Sequence, residues 1–260
     1  MNKKSFQYIY GPVYSWRLGM SLGVDPLSCP HKICNFNCSY CQLGESCFFQ
    51  SQRKVFIPVQ AIVDEIKRVP STDIDYITFS GCGEPTLAKN LGAMIRAIKR
   101  VRKEKIAIIT NSSLMHLKDV QADLMLSDFV LAKLDASTQE SFEMINKGVE
   151  VIFFDEMVKA MCDFRKNFQG KFALQIMFVE SNKQQAKAIA EIARKINPDE
   201  VQINTPLRPC GIKPLTKKQM SVIKRVFFDF KIRCVYDVSM KPFSPLDEKK
   251  TVARHGNYKS

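Results

Sequence analysis

The chain contains no apolar run long enough to cross a bilayer. It also lacks the pattern of a secretory signal: residues 1–10 (MNKKSFQYIY) are basic without a long apolar stretch, and the later run VIFFDEMV is broken by acids. Low-complexity linkers and internal repeats are missing as well, which excludes a solenoid and leaves one domain as the economical reading. His31, His116 and His255 have no ligand-like neighbours in sequence, so no histidine-built metal site is expected. The expected compartment is therefore the cytoplasm. There nine cysteines stay reduced and read as metal ligands or catalytic groups rather than as bridges.

What is present suits a single core. A chain of 260 residues, 45% of them apolar, buries roughly 70 to 75% of the surface its unfolded form exposes. The net charge of +13 favours polyanions such as RNA, provided it gathers on one face. The densest basic run, residues 99–105 (KRVRKEK), lies between a helix-like and a strand-like stretch and reads first as a solvated helix end.

Short β-branched or aromatic runs at 20–24, 76–80, 106–110, 129–134, 172–178, 200–204 and 232–236 predict strands. Amphipathic stretches at 59–69, 91–102, 117–126, 154–167, 183–196 and 216–228 predict the helices between them. Alternation of this kind means an α/β domain over 1–240, N-terminal extension included. The tail, 241–260, is polar and proline-marked; it either covers the mouth of the fold or is partly disordered. Right-handed crossovers allow an open sheet or a barrel. Polar residues stand just past several strands: 81–84, Asn111 with Ser112, Asp135, and Asn204 with Thr205. A barrel spreads its site over many strand ends in this way, whereas an open sheet concentrates it at one switch point, so the barrel is favoured.

The sharpest signal is Cys34, Cys38 and Cys41, a C-x3-C-x2-C spacing in the loop after the first predicted strand. By composition alone such a spacing arises in about one chain in a hundred. A structural zinc takes four protein ligands, while three thiolates on a [4Fe-4S] cluster leave one iron open for a small molecule. Cys29 or Cys47 would complete a zinc site, and a non-catalytic metal-binding module is the alternative from a different class. Zinc ribbons, however, show two C-x2-C halves, and here there is one.

With Tyr40 immediately before the last cysteine, the motif resembles the signature of the radical S-adenosylmethionine (SAM) superfamily. The resemblance implies a partial (β/α)6-type TIM-like barrel, with Cys34, Cys38 and Cys41 as ligands of a [4Fe-4S] cluster. It also implies bound SAM, either consumed or regenerated, and a flavodoxin- or ferredoxin-like external electron donor. The run Gly81, Cys82, Gly83, Glu84 and Pro85, after the second strand, resembles the family's GGE-type motif, which binds the methionyl ammonium of SAM; Cys82 stands where many members have glycine. Asn111 and Ser112 occupy a position of polar contacts to SAM. Asp135 either points into the barrel mouth or caps a helix. Lys133 reads as a strand end in water. Gln175 alternates with apolar neighbours and is either an interior contact or a satisfied core amide. Cys29, Cys47, Cys82, Cys210 and Cys234 share no compact spacing; they are either ligands of an auxiliary cluster or small buried hydrophobes.

Residues 10–24 (YGPVYSWRLGMSLGV) and Gln42-Leu43-Gly44 resemble a narrower branch, Fe-S oxidoreductases grouped with wyosine-type tRNA-modifying enzymes. The likeness runs to about Lys213 and makes tRNA a candidate substrate, with a small metabolite or peptide as the alternative. Known tRNA-acting members carry an additional cysteine set upstream of the motif, where this chain has only Cys29.

Overall fold

The computed structural model describes residues 5–29, 31–45, 48–148, 152–239 and 241–255. An antiparallel hairpin comes first, β1 (Ile9–Ser15) and β2 (Gly19–Val24). Two short strands, β3 (Ile33–Cys34) and β4 (Phe48–Phe49), pair within the loop that follows. The alternating series is then α1 (Val59–Lys67), β5 (Tyr76–Phe79), α2 (Leu91–Lys99), β6 (Lys105–Thr110), α3 (Lys118–Leu124) and β7 (Phe129–Lys133). It continues through α4 (Gln139–Asn146), α5 (Phe154–Asn167), β8 (Lys171–Met177), α6 (Ala186–Ile196), β9 (Glu200–Asn204), α7 (Lys217–Val226), β10 (Ile232–Cys234) and α8 (Glu248–His255). The main sheet runs β1-β2-β5-β6-β7-β8-β9-β10, parallel from β2 onward, and curls into a half-barrel. All seven expected strands are present, with ends shifted by no more than two residues.

Alternation along the strands explains why the sheet is covered on both faces. On β6, β7 and β8, Ile106, Ile108, Val130, Ala132, Phe172, Leu174 and Ile176 join the large core that also holds the apolar stripes of the helices. Their neighbours Ala107, Phe129, Leu131 and Ala173 point the other way and pack with Leu18 in a separate cluster on the inner face. That cluster fills the inner face toward the N-terminal ends of the strands. One step further along the same face come Lys133 and Gln175, so polar residues begin where the apolar packing stops.

Helices α4 and α8 are not among the helices the sequence predicts. Helix α4 starts at a capping box between Thr138 and Ser141 and ends on Lys147 in the left-handed conformation. The cap is thus Thr138, not Asp135. Helix α8 gives the tail a docked structure. Leu246 N–H donates to Gly11 O, Gly11 N–H donates to Thr251 Oγ1 at 2.9 Å, and Arg254 pairs with Asp25 at 2.8 Å, both side chains buried. The basic run at 99–105 closes α2 and opens β6 at the N-terminal end of the sheet; Lys99 pairs there with Asp128, and Arg102 with Glu104.

Candidate functional site

The loop after β2 carries all three motif cysteines and is fastened to three neighbours. The first is the glycine-rich turn after β5. Ile33 N–H donates to Cys82 O at 2.8 Å and Glu84 N–H donates to Ile33 O at 3.0 Å, so the two segments run side by side like short strands. A Cβ on Gly83 would lie 1.6 Å from Ile33 O, and one on Gly81, at φ +138°, would lie 2.4 Å from Asp25 Cγ. Both glycines are required by this packing before any ligand is considered. Asp25 completes the corner: its carboxylate accepts from Leu27, Ser28 and Cys82 N–H and from Arg254 Nε.

The second neighbour is the end of β6, reached through Glu84. This carboxylate is buried; its Oε1 accepts from Thr86 N–H, Thr86 Oγ1 and Thr110 Oγ1, and its Oε2 from Asn111 N–H at 2.6 Å. Burial pushes its pKa up against the pull of those donors. Oε2 keeps capacity for one further donor. Asn111 is committed: its Oδ1 accepts from Ser113, and its Nδ2 donates to Asn35 Oδ1 at 2.8 Å and lies 3.7 Å from Cys34 Sγ. Ser112, buried and at φ +72°, bonds the backbone N–H and C=O of Lys133 and so stitches β6 to β7.

The third neighbour is α4. Asn37 N–H donates to the Asn146 and Lys147 carbonyls and Ser39 N–H to Ile145 O, so the cysteine loop satisfies carbonyls that the helix end leaves open. Asn146 Nδ2 also reaches Cys38 Sγ at 3.5 Å. Beneath this junction Asp135 is fully buried and accepts from Tyr40 OH, Asn146 Nδ2 at 2.9 Å and Met177 N–H at 2.8 Å, with Lys133 Nζ 3.8 Å away. The aromatic residue before the last cysteine therefore has a structural role, because its hydroxyl pins the loop to the ends of β7 and β8.

The thiols sit at graded depth, Cys34 buried, Cys38 and Cys41 half-buried. Cys34 is pushed up to about 12, first by burial and then by the neighbouring Cys38, while burial also raises Cys38, with Cys41 adding to it. Consecutive cysteines thus lie within electrostatic reach of one another, yet among the described residues no three Cys, His, Asp or Glu side chains close around a single ion. Phe36 N–H, 3.4 Å from Cys34 Sγ, joins Asn111 and Asn146 as donors aimed at sulfur. This donor set suits thiolates carrying a cluster.

Of the other cysteines, Cys82 is pushed up to about 12 by burial and then Asp25, with Cys29 as a further neighbour. Cys210 packs beside the small apolar cluster of Tyr40, Ile145, Met177 and Val179, and Cys234 is buried in the main core. Cys47 lies outside the described residues.

A cavity of about 600 Å³ opens beside the cysteine loop, within the range of small-molecule sites. Tyr40, Cys41 and Gln42 form one wall; Lys133, Gln175, Met177 and Asn204 come from strand ends; Trp16 and Arg17 come from the β1–β2 turn. Arg208 and His255 complete it, Arg208 donating to Gln42 Oε1 and His255 Nε2, both at 2.8 Å. Gly81 to Glu84, Asn111, Ser112 and Asp135 do not line this cavity; they hold the loop that does. Lys133, read from the sequence as a strand end in water, borders the cavity with its ammonium over the Tyr40 ring. Arg17, Arg208 and Asn146 went unsignalled, since their partners include residues more than a hundred positions away, as in Arg208 with Gln42 and Asn146 with Cys38.

The family model described as "Radical SAM superfamily" matches residues 29–193. Among curated relatives, a UPF0026 protein of Synechocystis sp. is 37% identical over 82% of this chain and 80% of its own length. The GTPase Obg of Brachyspira hyodysenteriae is 36% identical over 87% of this chain, which spans only 34% of that relative. Among solved structures, Streptococcus suis SuiB bound to S-adenosylmethionine superposes with a TM-score of 0.62 at 14% identity, covering 79% of this chain and 48% of SuiB. Archaeal TYW1 gives 0.59 at 12% identity, over 84% of this chain and 74% of that one. At such identities the likeness to both structures is one of fold.

Proposed function

The chain belongs to the radical SAM superfamily and is an enzyme of that kind, and on this premise we propose that Cys34, Cys38 and Cys41 hold a [4Fe-4S] cluster beside a SAM site. When bound, such a cluster with an electron from a flavodoxin- or ferredoxin-like donor supplies reductive cleavage of SAM to a 5'-deoxyadenosyl radical. The observation that carries the reading is the trio of N–H groups from Phe36, Asn111 and Asn146 directed at the sulfurs of Cys34 and Cys38. Such donors stabilise anionic sulfur, and two of them come from segments remote in sequence.

The chain's own residues then divide the work. By the resemblance of their motif Gly81, Cys82, Gly83 and Glu84 are assigned to the SAM ammonium although they stand behind the cavity wall, so SAM would have to reach past the cysteine loop to Glu84 Oε2, the acceptor that still has capacity. Asn111, Ser112 and Asp135 keep the cysteine loop in register from beneath. Gln175 and Asn204 offer amides to the polar parts of SAM along the cavity. The apolar cluster of Leu18, Phe129 and Leu131 closes the inner face below and excludes water from that side.

For the substrate we propose tRNA, on the net charge of +13 and the resemblance of residues 10–24 to the wyosine-type branch. A second cluster is not part of the proposal: upstream of the motif, where tRNA-acting members of the branch carry an additional cysteine set, this chain has only Cys29.

Anaerobic reconstitution with iron and sulfide, followed by dithionite and SAM, tests the reading. 5'-Deoxyadenosine from the parent and none from Cys38→Ala supports it. Tight zinc without cluster absorption, and no SAM cleavage, refutes it.

A further inference from the structure

Arg17 and Arg208 reach the cavity from opposite ends of the sheet, one from the β1–β2 turn and one from the loop after β9. Both border the same cavity, where Arg208 contacts the His255 ring at 2.8 Å; burial, and then Arg208, push Arg17 down to about 9. Neither meets a carboxylate among the described residues, and no Asp or Glu is among the described residues lining the cavity. Arg17 Nε is shut off from solvent without a hydrogen-bond partner, while the same group stacks 4.6 Å above the Trp16 ring. Lys133 and Lys217 add two ammonium groups to the same walls.

Two partly desolvated cations on the walls of one cavity repel, and an orphaned buried donor costs about 1–3 kcal/mol. Proteins ordinarily relieve both with a carboxylate of their own. Here that carboxylate is missing from a cavity of ligand size, and the fork of a guanidinium matches an oxyanion in two-point contact. Arg208 is also bound to Gln42, the residue after Cys41, so whatever this pair holds is placed against the cysteine loop.

We infer that Arg17 and Arg208 form an oxyanion subsite that takes a phosphate or carboxylate group of the substrate beside the cysteine loop. Assigning that group to the substrate rests on the proposed function, in which SAM has its own site beside the cluster that Cys34, Cys38 and Cys41 would hold.

The test is calorimetric titration of the full-length, cluster-loaded protein with inorganic phosphate and, separately, with malonate, each in the absence and presence of saturating SAM. One saturable site per chain is expected, retained when SAM is bound. Its affinity falls at least about tenfold in Arg17→Gln and in Arg208→Gln. It is unchanged in Lys103→Gln, an exposed lysine of the same charge at the far end of the sheet. Saturation by phosphate alone assigns a phosphoryl group, and by malonate alone a carboxylate. Because Arg208 also braces Gln42 and His255, the Arg17 variant is decisive if Arg208→Gln unfolds. Absence of a saturable site, an affinity indifferent to Arg17→Gln, or anion binding abolished by SAM overturns the inference, the last by giving the pair to the SAM carboxylate. If anion binding behaves as expected while no 5'-deoxyadenosine forms, the subsite stands and the radical reading falls.

Discussion

Replacing Asp135 with alanine tests whether the floor of the site is held as described. In the folded chain this carboxylate satisfies Tyr40 OH, Asn146 Nδ2 and Met177 N–H, and Lys133 Nζ lies 3.8 Å away. Each buried donor left without an acceptor costs about 1–3 kcal/mol, but the three share one partner and do not add. Breaking a buried charged pair by removing one side costs about 3–5 kcal/mol as a whole. A loss of about 4 kcal/mol is therefore expected. With a urea m-value near 3 kcal/mol/M for a chain of this size, the midpoint falls by roughly 1.3 M. Asp64→Ala, at an exposed position where the carboxylate accepts from Gln60, should stay within about 0.5 kcal/mol. Tyr40 loses its anchor in the same variant, so iron bound after reconstitution should fall as well. A midpoint within about 0.2 M of the parent together with full iron content would refute the reasoning. Asp135 would then be a bystander rather than the post to which the cysteine loop is tied.

Gly83→Ala places a methyl group 1.6 Å from Ile33 O, a backbone atom that cannot swing aside. The turn must part from the cysteine loop, with an expected cost of at least about 3 kcal/mol and reduced iron uptake; normal uptake at parental stability would contradict the packing. His255 is pushed down to about 3, by burial first and then by Arg208 and Arg17. The unfolded chain therefore binds a proton near pH 6.5 that the folded chain refuses until near pH 3, and stability is lost as pH falls through that window. Between pH 7 and pH 5 this contributes a loss of about 2 kcal/mol, which His255→Gln should remove from the pH dependence of urea midpoints.

The strands were legible because each is a short apolar run bounded by polar residues, and the depth of their burial follows from a sheet covered on both faces. Strand β1 was not, since Gly11 and Pro12 interrupt its apolar pattern. Helix α4 was missed for a related reason: QESFEMIN is short and mostly polar, and its stability comes from the Thr138–Ser141 box and from Phe142 packing on Phe36. At the site, the spacing of Cys34, Cys38 and Cys41 needed no structure to be noticed. The glycines of the turn were noticed for ligand approach, whereas their space is first taken by Ile33 and Asp25. Arg17, Asn146 and Arg208 carry no local signature, because what distinguishes them is the company that folding brings.

The pairing of Asp25 with Arg254 spans 229 residues of chain. At a synthesis rate of 5 to 20 residues per second, Asp25 waits roughly 10 to 45 seconds for its guanidinium to be made. Through that interval the hairpin, the cysteine loop and the glycine-rich turn already exist as sequence, but the carboxylate at their corner has no counter-charge. Gln42 likewise has no Arg254 carbonyl to hold. On the ribosome, then, the side of the cysteine loop that α8 later covers stands open, and the cavity acquires its last wall only after every strand of the sheet has been made.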